Sequence, residues 1–298
     1  MSDPRRTLTG ILLVAASGLA FGMLSIFNRQ AGALGLGVPT LLAFRFLIAA
    51  AALWMWLGVR GGTVRLPLGT ALGLMAMGAL YVVEAGLYFL SARRIPVALT
   101  AVLLYLYPAL VAVVTWLRGR HAFTGRDGLA LALSLGGTAL AVGRVGGATD
   151  TLGVLMGLAT AVGYTTYLLL GERVQRGLPT LQVAACVITT AGFGFLGWAL
   201  ATHTWQPALA LQAWKPLLGI AFLCTVLPIP LHLAGLARLG APRAAMVSTT
   251  EPISAACFGA LLLHEIPTPL QALGALLILV AVVLLAVERS EAEPLPER

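Results

Sequence analysis

Pro39-Thr40-Leu41 stands at the start of an apolar segment, and the same triplet recurs as Pro179-Thr180-Leu181, 140 residues further along the chain. Around it, two long stretches, residues 9–143 and 152–287, can be superimposed with a nearly constant offset. The matching residues are Gly10, Leu12, Ala16 and Phe21 with Gly153, Leu155, Ala159 and Tyr164 (offset 143), and Arg94, Pro108 and Thr124 with Arg238, Pro252 and Thr268 (offset 144). Three segments that agree within four residues of register indicate an internal duplication.

The composition places each copy in a membrane. Apolar residues make up 59% of the chain and charged residues only 10%, against about 25% in soluble domains. An apolar helix of about 20 residues is long enough to cross a bilayer. Ten such segments are predicted, at 8–28, 38–58, 68–91, 96–117, 126–143, 151–171, 180–201, 214–236, 242–263 and 269–287.

Basic residues indicate how these segments are oriented. The chain has 19 of them and a net charge of +8, but they are spread over the segment ends, which argues against a nucleic-acid partner. With the N-terminus inside, 13 basic residues fall on one side and five on the other, and Arg45 falls within a span. The positive-inside rule then predicts that both termini are cytoplasmic.

Five crossings per copy invert the second copy relative to the first. The predicted fold class is therefore an all-α integral membrane protein with ten transmembrane helices in two inverted five-helix repeats. The first repeat covers residues 1–147, the second covers 148–288, and a cytoplasmic tail covers 289–298. Inverted repeats with a site between them are typical of secondary transporters.

Two acidic residues, Glu84 and Glu251, lie deep inside predicted spans, where an unpaired charge costs at least about 2.5 kcal/mol. Helical spacing puts Tyr81, Glu84 and Tyr88 on one face of span 3. Their counterparts in span 8 are Thr225, Pro228 and His232. This face can offer rings, a carboxylate and an imidazole to a polar solute. The alternative is that Glu84 makes a hydrogen bond between helices.

Prolines interrupt spans 4 and 9 at matching positions. Span 4 contains Leu104-Tyr-Leu-Tyr-Pro108, and span 9 contains Ser248-Thr-Thr-Glu-Pro252. Each proline removes a backbone hydrogen bond, so the freed carbonyl must find another donor. Paired distortions of this kind predict a site or hinge near the midplane.

These patterns define a candidate site without cofactor or metal. The predicted substrate-binding residues are Tyr81, Glu84, Tyr88, Tyr105, Tyr107, Tyr164, Tyr167, His232, Ser248, Thr249 and Glu251, and the predicted hinge residues are Pro108 and Pro252. Arg45 could extend towards the membrane surface, pair with Glu84, or neutralise a substrate carboxylate. The sequence contains no P-loop, G-x-S-x-G or H-E-x-x-H motif, which argues against an ATP-driven pump and against a hydrolase of those classes.

The duplicated five-helix unit, Arg45-Phe46 in span 2, Pro108, Pro252 and the Leu263-His264-Glu265 exit from span 9 resemble the drug/metabolite transporter superfamily, in particular its ten-helix family with tandem EamA repeats. Glu265 matches an acidic residue of that family, whereas the first copy has His121 there. The resemblance implies that helices 1, 3, 4, 6, 8 and 9 surround a central cavity and that helices 5 and 10 lie at the periphery.

Within that superfamily the chain is most similar to bacterial exporters of amino acids, including aromatic ones. The expected function is export of amino acids or similar small metabolites across a bacterial inner membrane by alternating access, with membrane lipid and protons as further expected partners. The alternatives are an exporter of cationic drugs or other metabolites, and an intramembrane enzyme or lipid-handling protein that would use Glu84 with His232.

Overall fold

The computed structural model describes residues 4–95, 97–118, 124–142, 150–263 and 268–287, and the elements within them are helical. The first predicted copy contains α1 (Pro4–Gly22), α2 (Leu24–Ala33), α3 (Val38–Arg60), α4 (Leu68–Ala92), α5 (Val97–Leu104), α6 (Tyr107–Leu117) and α7 (Gly125–Val142). The second contains α8 (Thr151–Val174), α9 (Thr180–Ala201), α10 (Pro207–Gln212), α11 (Trp214–Ala221), α12 (Pro228–Leu239), α13 (Ala241–Ser248), α14 (Thr250–Leu263) and α15 (Pro269–Val287). A π-helical turn, Phe222–Val226, joins α11 to α12.

Eight stretches of the described chain are long and apolar enough to cross a membrane. They are Arg5–Ala33, Val38–Arg60, Leu68–Ala92, Leu99–Leu117, Thr151–Val174, Thr180–Ala201, Trp214–Leu239 and Ala241–Leu262. These coincide with predicted spans 1–4 and 6–9, so the prediction of a helical multi-pass membrane protein is confirmed.

Predicted spans 5 and 10 correspond to α7 and α15, which fall outside this set of eight. The first turn of α7 carries Arg126 and Asp127, which shortens its apolar part, and α15 contains the shorter apolar stretch Ala272–Leu284. The total of ten spans therefore stays a prediction.

The two predicted copies interlock. α3 packs along α9, α4 along α8, α1 along α12 and α7 along α15, and each pair joins one copy to the other. If each helix is replaced by its counterpart in the other copy, the α4–α8 pair becomes the α12–α1 pair. The α3–α9 and α7–α15 pairs stay the same under this replacement. The inverted orientation of the copies in the bilayer stays a prediction.

Two spans are interrupted at matching positions. Span 4 is divided between α5 and α6 at residues 105–106, and span 9 between α13 and α14 at residue 249. Each break precedes a proline, Pro108 or Pro252, by about three residues. Proline lacks an N–H and cannot donate to the carbonyl four residues earlier, so the backbone hydrogen bonds are interrupted in the turn before it and a new helix begins close to the proline. The structure thus has the paired distortions that the prolines predict, while their role as hinges stays a prediction.

Span 8 is distorted by the same mechanism. Pro228 cannot donate to the carbonyl of Cys224, four residues earlier, and the intervening turn widens into the π-helical segment. Arg45 from α3 supplies the missing donor, because its Nη2 lies 2.7 Å from the Cys224 carbonyl oxygen. A buried arginine therefore connects span 2 to the distorted turn of span 8.

Small residues allow α1 to approach α14 closely. A Cβ atom added to Gly22 would lie 2.7 Å from the carbonyl carbon of Ser254, a distance that ordinary Cβ contacts do not reach. Gly18 faces Thr250 in the same way, one turn earlier on both helices. Close approach through small residues is a common way to associate helices in a bilayer. It holds span 1 against the residues that follow the break in span 9.

Asp150 lies just outside the span formed by α8 and caps the start of that helix. The Asp150 carboxylate accepts a hydrogen bond from the Leu152 N–H at 2.9 Å and pairs with Arg94 at 2.9 Å. The Arg94 hydrogen bond, followed by the one from Leu152, holds the pKa of Asp150 below its ordinary value of 3.8. This exposed pair links the end of α4 to the beginning of α8.

Candidate functional site

The tyrosines of spans 3, 4 and 6 form a continuous chain of rings. Tyr105 lies 6.3 Å from Tyr107 between ring centroids, Tyr107 lies 4.7 Å from Tyr164, Tyr164 lies 5.7 Å from Tyr167, and Tyr167 lies 6.0 Å from Tyr81. We call these five residues the tyrosine cluster. It spans both copies, since Tyr164 and Tyr167 come from α8. The sixth tyrosine, Tyr88, packs edge-on against Phe89 instead.

The cluster combines buried and half-buried rings. Tyr107 and Tyr167 are buried, and Tyr81, Tyr105 and Tyr164 are half-buried. The stacked and edge-to-face geometries are those that aromatic pairs prefer. The sequence led us to expect that these phenols line a central cavity. The structure brings them together, with their rings in contact with one another.

The two carboxyl groups within the spans come from different copies and lie close to the cluster; Glu84 is buried and Glu251 is half-buried. Glu84, on α4, is 7% exposed, and Glu251 lies in the first turn of α14. They lie within electrostatic range of one another, and Glu251 is also within range of Tyr105 and Tyr107. Gly163 of α8 lies beside Glu84, because a Cβ atom there would be 3.3 Å from the Glu84 Cβ. The site therefore holds two acids in a low-dielectric environment.

Arg45 brings a buried positive charge into the same region. It is 2% exposed, donates from Nε to the Thr225 hydroxyl at 2.7 Å, and lies within electrostatic range of Glu251. It also lies within hydrogen-bonding reach of Tyr81. Of the three fates that the sequence left open, extension to the membrane surface is excluded by this burial. Sequence reasoning did not assign Arg45 to the site, although Pro228 signals a carbonyl in need of a donor.

His232 and Ser248 meet at the side of the cluster nearest span 9. The Ser248 hydroxyl donates to the Ala244 carbonyl at 2.8 Å and lies 3.5 Å from Nδ1 of His232. Tyr107 lies within reach of Ser248 and donates to the Ala245 carbonyl at 3.3 Å. His232 is 6% exposed, and its Nε2 has no hydrogen-bond partner among the residues described. The imidazole therefore retains one unused polar atom inside the bundle.

Some predicted site residues are less involved. The Thr249 hydroxyl is fully buried and donates to the Met246 carbonyl of its own helix at 2.6 Å. Pro108 and Pro252 are buried next to the helix breaks, and Pro252 directly follows Glu251 in the chain. His121, His264 and Glu265, which the family resemblance singled out, lie outside the described residues, as does the predicted tail.

A residue that the sequence did not single out connects span 1 to this region. The Ser17 hydroxyl donates to the Pro228 carbonyl at 2.8 Å, in a contact between residues 211 positions apart. Ser17 is 1% exposed, so the bond lies within the core. A serine in a Gly- and Ala-rich helix carries no local signal of this contact.

His232 and Glu84 have different partners in the structure. Within the described chain, the hydrogen-bond partner of His232 is Ser248, and Glu84 interacts with Glu251. No group of three or more metal-ligating side chains occurs among the residues described. What the site offers is a pair of acids, an arginine and a set of phenol rings, which suits binding of a small polar or amphipathic solute.

Comparison with known proteins agrees with this description. Residues 8–143 and residues 151–287 each match the EamA-like transporter family, so the two matches together cover most of the chain. The uncharacterized transporter YcbK of Bacillus subtilis is 25% identical over 290 residues, which cover 92% of this chain and 91% of that protein. The uncharacterized transporter sll1319 of Synechocystis is 26% identical over 222 residues, which cover 72% of this chain and 66% of that protein.

The same fold occurs in a solved crystal structure. That structure covers 98% of this chain and 100% of its own, with a TM-score of 0.77 and 21% sequence identity. At this level of identity the likeness concerns the course of the helices alone.

Proposed function

The chain belongs to the EamA-like transporter family, and on that premise we propose that it is a secondary transporter that exports amino acids or similar small amphipathic metabolites by alternating access. The relatives named as transporters support membrane transport as the general function. The substrate class is inferred from the chemistry of the site. No enzymatic activity is proposed.

The observation that carries the proposal is the charge arrangement between the two copies. Glu84 and Glu251 lie within electrostatic range of one another, and Arg45 lies within range of Glu251. Two neighbouring carboxyl groups in a buried site favour a cation between them, which an ammonium group supplies. The side of the site that holds the two glutamates therefore favours binding of a positively charged group.

Arg45 can serve the opposite end of a zwitterion. A guanidinium has five N–H donors, and two of them are committed to Thr225 and to the Cys224 carbonyl. A remaining donor can bind a carboxylate, for which arginine geometry is well suited. An α-amino acid carries both charges a short distance apart, so it fits between Arg45 and the glutamates.

The tyrosine cluster supports an amphipathic or aromatic side chain. Phenol faces give apolar contact and can hold a cation with about 0.5–2 kcal/mol. Since the rings contact one another in this structure, substrate entry requires Tyr105 or Tyr164, which are half-buried, to move aside. The breaks at residues 105–106 and 249 lie next to these rings and provide places where the helices can bend.

The architecture proposed for this cycle is the one predicted from the sequence. Ten spans form two inverted repeats, residues 1–147 and 148–288, in a bacterial inner membrane with both termini cytoplasmic. The cross-copy helix pairs map onto the same set of pairs when the copies are exchanged, which supports the division into two repeats. Tilting of one repeat against the other about Pro108 and Pro252 would then expose the site to each side in turn. Protons are a candidate coupling ion, because Glu84, Glu251 and His232 can each carry one.

The test is transport by the purified protein in liposomes, with a panel of radiolabelled amino acids, sugars and cationic dyes. We expect uptake of one or more amino acids above that of protein-free liposomes, and competition by aromatic amino acids. Uptake of sugars or of no compound, by a protein that elutes as a single species, would contradict the proposal.

A cationic compound is the second candidate substrate, because the pair of glutamates could hold a cation without help from Arg45. Phenylalanine and phenethylamine differ only in the carboxylate, so their competition in the same liposomes separates the two candidates. Stronger competition by phenylalanine indicates an amino-acid site, whereas equal or stronger competition by phenethylamine indicates a site for cations.

A further inference from the structure

A groove outside the tyrosine cluster runs between α6 and α8 and encloses a cavity of about 320 Å³. Its walls are mostly apolar, and one end is bordered by two arginines. The lining residues that matter here are Leu110, Val114 and Arg118 from span 4, and Val162, Leu170 and Arg173 from span 6. The groove therefore combines an apolar channel with a basic end.

The groove opens sideways, towards lipid. Val162 on the wall of the groove is 55% exposed. Trp116 and Leu117, which directly precede the lining residue Arg118 in the chain, are 59% and 70% exposed. In a membrane-spanning chain, exposed apolar side chains of this size face the acyl chains of the bilayer. The cavity is thus accessible from the membrane.

The arginines at the basic end are available to bind an anion. Neither guanidinium has an ion-pair or hydrogen-bond partner in the part of the chain that the structure describes. The nearby carboxylate of Glu172 is engaged elsewhere, since it accepts from the Ala241 N–H at 3.3 Å and pairs with Arg176 at 3.7 Å. The charge at this end is therefore positive.

The hydroxyls lining the groove do not contribute to anion binding. Thr165 and Thr166 donate to carbonyls of their own helix, those of Ala161 and Val162, at 2.8 Å each. Polar recognition at this site depends on Arg118 and Arg173 alone.

We propose that the groove binds an anionic phospholipid of the surrounding bilayer. Arg118 and Arg173 hold the phosphate, and the first part of an acyl chain lies along Leu110, Val114 and Val162. From Arg118 to Leu110 the helix extends by about 12 Å, at 1.5 Å per residue, which accommodates that part of the chain. Basic pockets between helices at the cytoplasmic side are known to suit acidic lipid headgroups, and the charge pattern places this end there.

The apolar walls of the groove favour a lipid over a free anion as its occupant. A free phosphate would need only the two arginines and would gain nothing from an apolar channel open to the membrane. A bound lipid bridges spans 4 and 6 next to a smaller cavity of about 140 Å³ that the same arginines border. It therefore stabilises the contact between the two copies.

The experiment uses the full-length protein in detergent, supplied with phosphatidylglycerol or phosphatidylcholine. Native mass spectrometry measures retained lipid, and the thermal unfolding midpoint measures stabilisation. We expect tighter binding of phosphatidylglycerol, and binding weakened about 30-fold in the double variant Arg118→Gln/Arg173→Gln. The matched control is Arg60→Gln, which makes the same charge change at the end of α3, where the guanidinium stacks on Trp56 and does not line the groove; it should bind lipid normally.

Three results would overturn the proposal. The first is equal binding of the two lipids, and the second is an equal loss in the control and in the double variant. The third is displacement of phosphatidylglycerol by inorganic phosphate together with normal lipid binding by Val162→Ser, which would assign the site to a free anion. If the double variant fails to fold, as judged by circular dichroism and elution, the single variant Arg173→Gln replaces it, with an expected weakening of about fivefold.

Discussion

Arg45 carries a positive charge into span 2, where an unpaired charge costs at least about 2.5 kcal/mol. The cost is offset by two hydrogen bonds, to the Thr225 hydroxyl and to the Cys224 carbonyl. The carbonyl is itself available because Pro228 cannot donate to it. An unpaired guanidinium and an unpaired carbonyl would each be costly inside the membrane. The hydrogen bond between Arg45 and the Cys224 carbonyl satisfies both groups.

Replacing Arg45 should therefore destabilise the protein. Arg45→Gln leaves the Cys224 carbonyl without its donor, and we expect the free energy of unfolding to fall by about 1–3 kcal/mol. Unfolding by a denaturing detergent, followed by circular dichroism, measures this. The control is Arg60→Gln, also on α3, where the guanidinium stacks on Trp56 at the surface. Equal stability of the two variants would show that the buried contacts contribute little.

The two glutamates should act as one unit in transport. We expect Glu84→Gln and Glu251→Gln each to reduce uptake about 10–100-fold, because each removes a charged partner of the substrate. The double variant should be little worse than either single one, since the second carboxyl group loses its role when the first is absent.

Initial rates in the liposome assay measure both effects. Asp150→Asn is the matched control, because it makes the same chemical change at an exposed helix cap where asparagine serves equally well. Full transport by Glu84→Gln at all substrate concentrations would remove Glu84 from the site.

At the scale of helices, the breaks in spans 4 and 9 divide otherwise continuous segments next to the tyrosine cluster. Pro108 and Pro252 each leave a carbonyl without its helical donor, at Leu104 and Ser248 respectively. A helix with missing backbone bonds bends at lower cost, which is the basis for assigning these residues as hinges.

Pro252→Ala should restore the missing bond and stiffen span 9. We expect an equal or higher free energy of unfolding, together with a turnover rate reduced about tenfold and an unchanged apparent affinity for substrate. The measurements are substrate dependence in liposomes and detergent-induced unfolding. If turnover is unaffected while stability rises, the proline is a packing feature and not a hinge.

The contact between α1 and α14 depends on residue size. Gly22→Ala places a methyl group against the Ser254 backbone, and we expect a loss of about 1–3 kcal/mol in the free energy of unfolding. Gly32→Ala is the control, since no atom lies within 4 Å of an added Cβ there. That substitution should be neutral or slightly stabilising, because alanine favours helices over glycine.

At the scale of the whole molecule, the two copies share one core. Phe46 of α3 contacts Phe195 of α9 with 5.2 Å between ring centroids, and Leu74 and Leu168 are completely buried on α4 and α8. Each of these helix pairs crosses between copies, so the buried surface of one copy is provided by the other. A site at their boundary can therefore change shape when the copies move.

The inverted orientation can be tested by cysteine labelling of intact cells, in a background that lacks the three natural cysteines. Leu34 and Arg176 occupy matching loops, as do Thr63 and Thr202. An impermeant maleimide should label cysteines at positions 34 and 202 directly, and those at 63 and 176 only after permeabilisation. Labelling of both members of a matching pair from the same side would show that the copies are parallel.

Much of the architecture follows from local properties of the chain. Runs of apolar residues predicted the spans, the repeated triplet and prolines predicted the duplication and the paired helix breaks, and the rarity of acids in lipid drew attention to Glu84 and Glu251. Apart from the duplication, which compares segments 140–144 residues apart, each of these signals lies within about 20 residues of sequence, because the bilayer imposes the same requirement on every span.

Contacts between distant residues were decided only by the tertiary structure. Arg45 meets the Cys224 carbonyl across 179 positions, and the rings of the tyrosine cluster contact one another across both copies. Thr249, a candidate from its neighbours in sequence, directs its hydroxyl to its own helix. Helical spacing determines which face a side chain occupies, but its partner depends on how all the helices pack together, and that is a property of the assembled bundle.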